Sequence, residues 1–258
     1  MRFTMFNMRN NSPFGGRGNR GFGYNYSPYA NQAMDHPYEG VQAGGLVAKV
    51  MVLLAFSFAF ALLGTFVGFI VFSTAATTGT YFAVAIAGFV VLLILRFAIN
   101  VSGLNLFLLY LFTFLEGMSL APLLSYYLVN AGNILAEAFL ITALTSVGLA
   151  IYAWTTKRDF SKLADYLFIG LIILVVASIV GIFFNGLFST GISGLIFSVF
   201  GVVIFSGFMI YHIQQARYLP NTMPNAIGLT VSLFLNVINL FLFILRILSI
   251  LQGGNRRR

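Results

Sequence analysis

Seven apolar runs follow one another after a polar beginning, at roughly residues 46–72, 81–99, 104–129, 133–154, 165–185, 191–211 and 226–251. Each is close to the ~20 residues a helix needs to cross a bilayer. The runs are continuous, not alternating, which predicts spanning helices and argues against an outer-membrane barrel. Short connections place successive helices antiparallel in one bundle. The expected fold class is therefore all-α integral membrane, a seven-transmembrane-helix bundle spanning residues 45–252, followed by a short basic tail at 253–258.

The last run carries its own pattern. Ser232, Asn236, Asn239 and Arg246 interrupt it, and at about 100° per residue they fall within an arc of roughly 80°. Polar groups left in hydrocarbon cost up to a few kcal/mol each, so this stripe should face protein or water. That predicts a central last helix forming the wall of a polar pathway. Small residues at Gly64 and Gly68, Gly117 and Ala121, and Ala177 and Gly181 mark candidate seams where backbones can approach closely.

Composition sharpens the class. Hydrophobic residues make up 59% of the chain and charged residues 8%, against about 25% charged in soluble domains. Residues 1–44 are instead rich in Gly, Asn, Tyr and Arg with no apolar period, which predicts a disordered basic tail. Arg2, Arg9, Arg17 and Arg20 interleave there with aromatics, a pattern shared with RNA-binding arms. A solvated tail beside anionic lipid is the more economical reading, and no nucleic-acid partner is expected. A cleavable signal peptide fits poorly, since the first apolar run starts late and is too long. Cysteine is absent, so no disulfide, thiolate metal site or cysteine nucleophile is available.

Charge sets the expected orientation. The tail with Lys49 is basic, Lys157, Arg158 and Lys162 follow the fourth run, and Arg217 follows the sixth. The alternate connections carry no charge, which places the N-terminus and the basic loops in the cytoplasm and Tyr152 and Trp154 at the inner interface. Arg256–Arg258 then fall on the outer side, unless one segment is re-entrant.

Charged positions inside the runs are few. Glu116 lies near the middle of the third; alone in hydrocarbon it would carry its proton, whereas beside an arginine or in a wet cavity it would ionise and attract a cation. A purely structural pair is the competing reading. Arg96, near the inner end of the second run, fits an arginine snorkelling to the interface, and Glu137 and Arg246 fit helix-end anchors. His212, closing the sixth run in IYHIQQARY, has the chemistry of a proton-sensing gate; the plainer reading is an interfacial histidine bonded to backbone. Asn236 and Asn239, on one face, serve either as pore lining or as interhelical hydrogen bonding. No catalytic triad, HExxH, paired intramembrane aspartates or phosphate loop is present, so no enzyme, cofactor or metal site is expected.

Several stretches resemble the Bax inhibitor-1 family. YAWTTKRDFSKLADYLFIGLI resembles the loop between its fourth and fifth helices, FLEGMSLAPLL its third helix, FGVVIFSGFMIYHIQQ its sixth and SLFLNVINLFLFILRIL its last. With AFLITAL at the start of the fourth run, the likeness extends from about Tyr81 to Leu251. It implies a seven-helix bundle whose last helix is surrounded by two groups of three. It also implies a pH-sensitive calcium leak, with calcium homeostasis and cell-death suppression in eukaryotes and membrane-protease partners in some bacteria. The family pattern ends the sixth helix in Tyr-Asp and carries Leu-Asp-x-x-Asn-Leu-Phe in the last, the two aspartates forming a proton-sensitive latch. Here the matching positions are His212 and Asn236, so both acids are absent, and di-acid sensing cannot operate as it does with two carboxyls sharing a proton.

The expected function is a cation leak, calcium being the candidate ion, or a regulator of ion homeostasis. Glu116, Asn236 and Asn239 would line the path, with Arg96 or Arg246 as counter-charge and His212 near the inner gate. The alternative is a non-conducting adaptor that modulates a membrane protease or another partner complex. A proton-coupled transporter is disfavoured, because no inverted repeat or broken helix pair is visible. The expected location is a bacterial plasma membrane.

Overall fold

The computed structural model describes residues 40–74, 78–184, 188 and 191–255. The basic tail over residues 1–39 and Arg256–Arg258 lie outside the described residues. The described residues form seven α-helices and no strand: α1 (Gly40–Thr74), α2 (Thr78–Ala98), α3 (Leu104–Asn130), α4 (Gly132–Thr155), α5 (Leu163–Phe183), α6 (Gly191–Gln215) and α7 (Met223–Asn255). All seven are long and apolar enough to cross a membrane. The chain is an integral membrane protein built as a helical bundle. Helix α1 begins at Gly40, inside the stretch assigned to the tail, and α7 runs to Asn255.

In hydrocarbon, burial of apolar surface cannot drive helices together, so close backbone approach must. The seam between α1 and α3 shows this. Two of the small-residue pairs noted in the sequence meet each other here. A Cβ on Gly64 would fall on the Phe114 carbonyl, one on Gly117 on the Ala61 carbonyl, and one on Gly68 against Ala121. Thr65 lies at the same crossing, its hydroxyl 2.9 Å from both the Ala61 and the Gly117 carbonyl oxygens. Pro122 lies inside α3 and cannot donate to the carbonyl four residues back, that of Met118. Gly68 lets α1 close against that same carbonyl.

The third small-residue pair behaves differently, since Gly181 faces Phe188 of the following connection. Contact between α5 and α6 instead uses Gly170, which receives Ile204, and Gly207, which receives Leu167; Gly201 admits the Phe243 ring of α7.

Helix α2 packs on α3, and α5 packs on α6. Helix α7 packs against α1, α3, α4 and α6, and so connects the triplet α1–α3 to the triplet α4–α6. Its side chains Ala226, Ile227, Thr230, Phe234 and Leu240 are wholly buried. One end of the bundle gathers Gly45 beside Asn221 and the 156–162 connection beside Gln214. The other end gathers Tyr127 with Ser249 and Glu137 with Gln252. Lys49, Lys157, Arg158, Lys162 and Arg217 all belong to the first, which is therefore the basic end.

Candidate functional site

The polar stripe of α7, Ser232, Asn236, Asn239 and Arg246, is at least partly sheltered at each position. Asn236 is buried, and its amide nitrogen lies 3.1 Å from Nδ1 of His212 on α6. The His212 ring stacks on Phe208 and meets Tyr211 edge-on, with centroids 5.9 and 5.2 Å away. The two positions at which the resemblance predicts a pair of aspartates are thus in direct contact. Arg96, at the end of α2, is exposed. The structure therefore brings His212 and Asn236 together.

The remaining candidates lie elsewhere. Asn239 turns its amide onto its own helix, donating to the Leu235 carbonyl at 2.8 Å. Arg246 donates to the Phe188 carbonyl and lies over the Phe197 ring, 5.2 Å from its centroid. That geometry ties the far end of α7 to α6 and the connection before it. Glu137 accepts from Gln252 at 2.8 Å, again at the far end. Glu116 is partly buried in α3, and among the described residues no side chain hydrogen-bonds or ion-pairs with its carboxyl. Phe112 meets Phe234 and Tyr127 meets Ser249, so Glu116 is level with Ile238, about 3 Å further from the basic end than Asn236 by helical rise.

A groove of about 840 Å³ runs between α1 and α4 over a floor of α3 and α7. None of Arg96, Glu116, His212, Asn236, Asn239 or Arg246 lines it. Its wall is apolar, apart from the hydroxyls of Thr65, Thr142, Ser146 and Thr155. Apolar residues on α1 and α4 give no hint in sequence whether they face a neighbour, a groove or free lipid, because all three favour the same side chains.

Gln214 was also invisible as a functional position. It is buried; its amide donates to the Arg158 carbonyl at 2.8 Å and accepts from the Phe160 N–H at 3.1 Å. One side chain thereby holds the basic 156–162 connection against α6. Within that connection Asp159 accepts from the Ser161 hydroxyl and N–H, and those bonds hold its carboxyl below the usual range. Gln214→Leu is expected to release the connection while the helices remain. Loss of a bonded pair of this kind costs about 1–3 kcal/mol, so amide exchange at residues 156–162 should accelerate about tenfold. Unchanged exchange there would contradict this assignment.

These features place the protein among the helical membrane proteins with a paired polar contact between the last two helices. The chain belongs to the Bax inhibitor-1 family: the family described as "Inhibitor of apoptosis-promoting Bax1" matches residues 44–253. It is similar to a membrane protein of Vibrio cholerae, 34% identical over 61% of this chain and 69% of that one. A Campylobacter jejuni protein is 36% identical over 57% of this chain and 62% of its own length. The Golgi anti-apoptotic protein of vaccinia virus is 34% identical over 57% of this chain and 59% of its own. The matched part thus covers less than two thirds of these last two relatives.

Proposed function

We propose that this chain is a cation leak, or a regulator of ion homeostasis, in which the His212–Asn236 contact forms the gate between α6 and α7 and calcium is the favoured ion. The observation that carries this is the 3.1 Å contact itself, made where the family pattern has two acids. With the ring proton on Nε2, Nδ1 accepts from the Asn236 amide. A second ring proton removes that acceptor, so the amide must turn its oxygen inward or the contact opens. Either outcome leaves a histidinium at the contact, and that cation repels an entering calcium ion. In this scheme acid lowers the leak.

Glu116, lying deeper, supplies the carboxylate oxygen that a calcium ion prefers. The basic end faces the cytoplasm in this reading, as the distribution of Lys and Arg favours. The name of the vaccinia relative extends the proposal to cell-death control where a host pathway is available.

Calcium-dye flux into liposomes tests it. Wild type should exceed empty liposomes, Glu116→Gln should lower the flux about tenfold, and Asn236→Leu, which removes the gate contact, should raise it by a similar factor, the effect of about 1.4 kcal/mol on a barrier. Equal flux in all three proteins, or none above empty liposomes, would end the transport reading. The adaptor alternative would then stand, supported if deletion of residues 1–44 removes crosslinked partners such as a membrane protease.

A further inference from the structure

Helices α1 and α4 share no packing seam, and the groove fills the space between them. Leu62 and Val147 on its two flanks are exposed, so in a bilayer it opens sideways into hydrocarbon. It extends from Val47 to Thr65 along α1 and from Phe139 to Thr155 along α4. By helical rise that is about 24 Å, longer than the half of a ~30 Å hydrocarbon core that one leaflet's acyl chain fills. A volume of about 840 Å³ lies within the range of about 300–1,000 Å³ typical of small-ligand sites.

The two ends of the groove differ in charge. At the basic end Trp154 lines the wall, and the Arg217 guanidinium lies over its ring, 5.0 Å from the centroid. Phe139 stacks on Phe241, and counting helical rise from that contact brings Trp154 level with the first turn of α7, around Ala226. Lys49 is exposed at the same end of α1, but at about 100° per residue it points away from the arc of lining residues Val47, Val50, Met51 and Leu54. One guanidinium and an indole therefore mark the mouth of a long apolar slot. An indole favours the headgroup level of a membrane, and a guanidinium matches a phosphate.

We propose that the groove between α1 and α4 is a binding site for an anionic glycerophospholipid. An acyl chain lies along Leu62, Phe139, Val237 and Phe241, and the headgroup phosphate meets Arg217. A second copy of the chain is the poorer occupant, since it would bring a second Arg217 to the mouth.

Trp154 is the only tryptophan in the protein and lines the site, so it serves as the probe. The full chain is placed in phosphatidylcholine bilayers with small fractions of phosphatidylglycerol, one lipid at a time carrying brominated acyl chains that quench indole fluorescence. Phosphatidylglycerol should quench in excess of its mole fraction, with an apparent preference of about fivefold per basic residue engaged. Arg217→Gln should lower that preference to near one while both brominated lipids still quench, and Lys49→Gln, on the far face of α1, should leave it unchanged. Ala143→Phe, which places a ring inside the groove, should lower quenching by both lipids. A wild-type preference of one, or a preference that survives Arg217→Gln, overturns the proposal. So does quenching lost as protein density rises, the signature of a second copy covering the groove. If Ala143→Phe does not fold, Arg217→Gln decides, because that substitution lies at the rim and not in the packed seams.

Discussion

Gly117→Ala is expected to destabilise the bundle by about 3 kcal/mol, the upper range for forcing extra atoms into a packed interior. The added methyl lands on the Ala61 carbonyl, a backbone group that cannot rotate aside, so α1 and α3 must separate. Separation also takes the Thr65 hydroxyl away from the Gly117 carbonyl it meets at 2.9 Å. Gly64→Ala should have a similar effect, because its methyl lands on the Phe114 carbonyl of the same seam. The control is Gly148→Ala: nothing lies within 4 Å of a Cβ there. Helix propensity alone then operates, and favours alanine by up to about 1 kcal/mol. Reversible unfolding in mixed micelles measures all three. Similar unfolding midpoints for Gly117→Ala and Gly148→Ala would show that the α1–α3 seam is not the close contact described above.

The second large effect concerns the gate. His212→Asp combined with Asn236→Asp is expected to create a leak whose pH dependence is much steeper than that of the wild type. Two carboxyls in place of ring and amide atoms now 3.1 Å apart cannot both ionise freely. They share a proton and titrate as a coupled pair. Between the shared-proton and doubly ionised forms the electrostatic difference at the contact favours opening as pH rises, by about tenfold in flux for each 1.4 kcal/mol of repulsion. Either single substitution leaves one acid beside a neutral or cationic partner and should lack this behaviour. Flux in dye-loaded vesicles over a pH series provides the comparison. Matching profiles for the double variant and the wild type would separate these two positions from gating altogether.

Most of the architecture was legible because hydrophobic runs of spanning length have few alternatives: a backbone in hydrocarbon must satisfy its hydrogen bonds within the helix. The α1–α3 seam was legible for a related reason, since only small residues permit backbone contact and Gly64, Gly68, Gly117 and Ala121 sit at helical spacing. Gly170, Gly201 and Gly207 were not recognised, because each receives a large side chain from a partner helix rather than a second small residue. The contact between His212 and Asn236 could be anticipated only through the family resemblance; nothing in the spacing of two residues on different helices reveals that they meet. Arg246 read equally well as pathway or anchor until its partners, the Phe188 carbonyl and the Phe197 ring, were seen. The stripe on α7 thus proved to hold groups with separate local partners. Asn239 bonds back to Leu235, while Asn236 reaches across to α6.

The order in which the helices are joined bears on how the protein is made. Before the ribosome releases α7, the triplet α1–α3 has its tightest seam complete, and α5 already has its partner in α6. Without α7, the contact between the halves is the light one of α3 with α4 among the described residues. The last 33-residue helix supplies the surfaces that fasten one half to the other. A nascent chain interrupted just short of that helix would present the membrane with two separately assembled fragments and an open trench between them. Assembly is therefore completed only once α7 is in place, when one helix turns two membrane-inserted pieces into a single molecule.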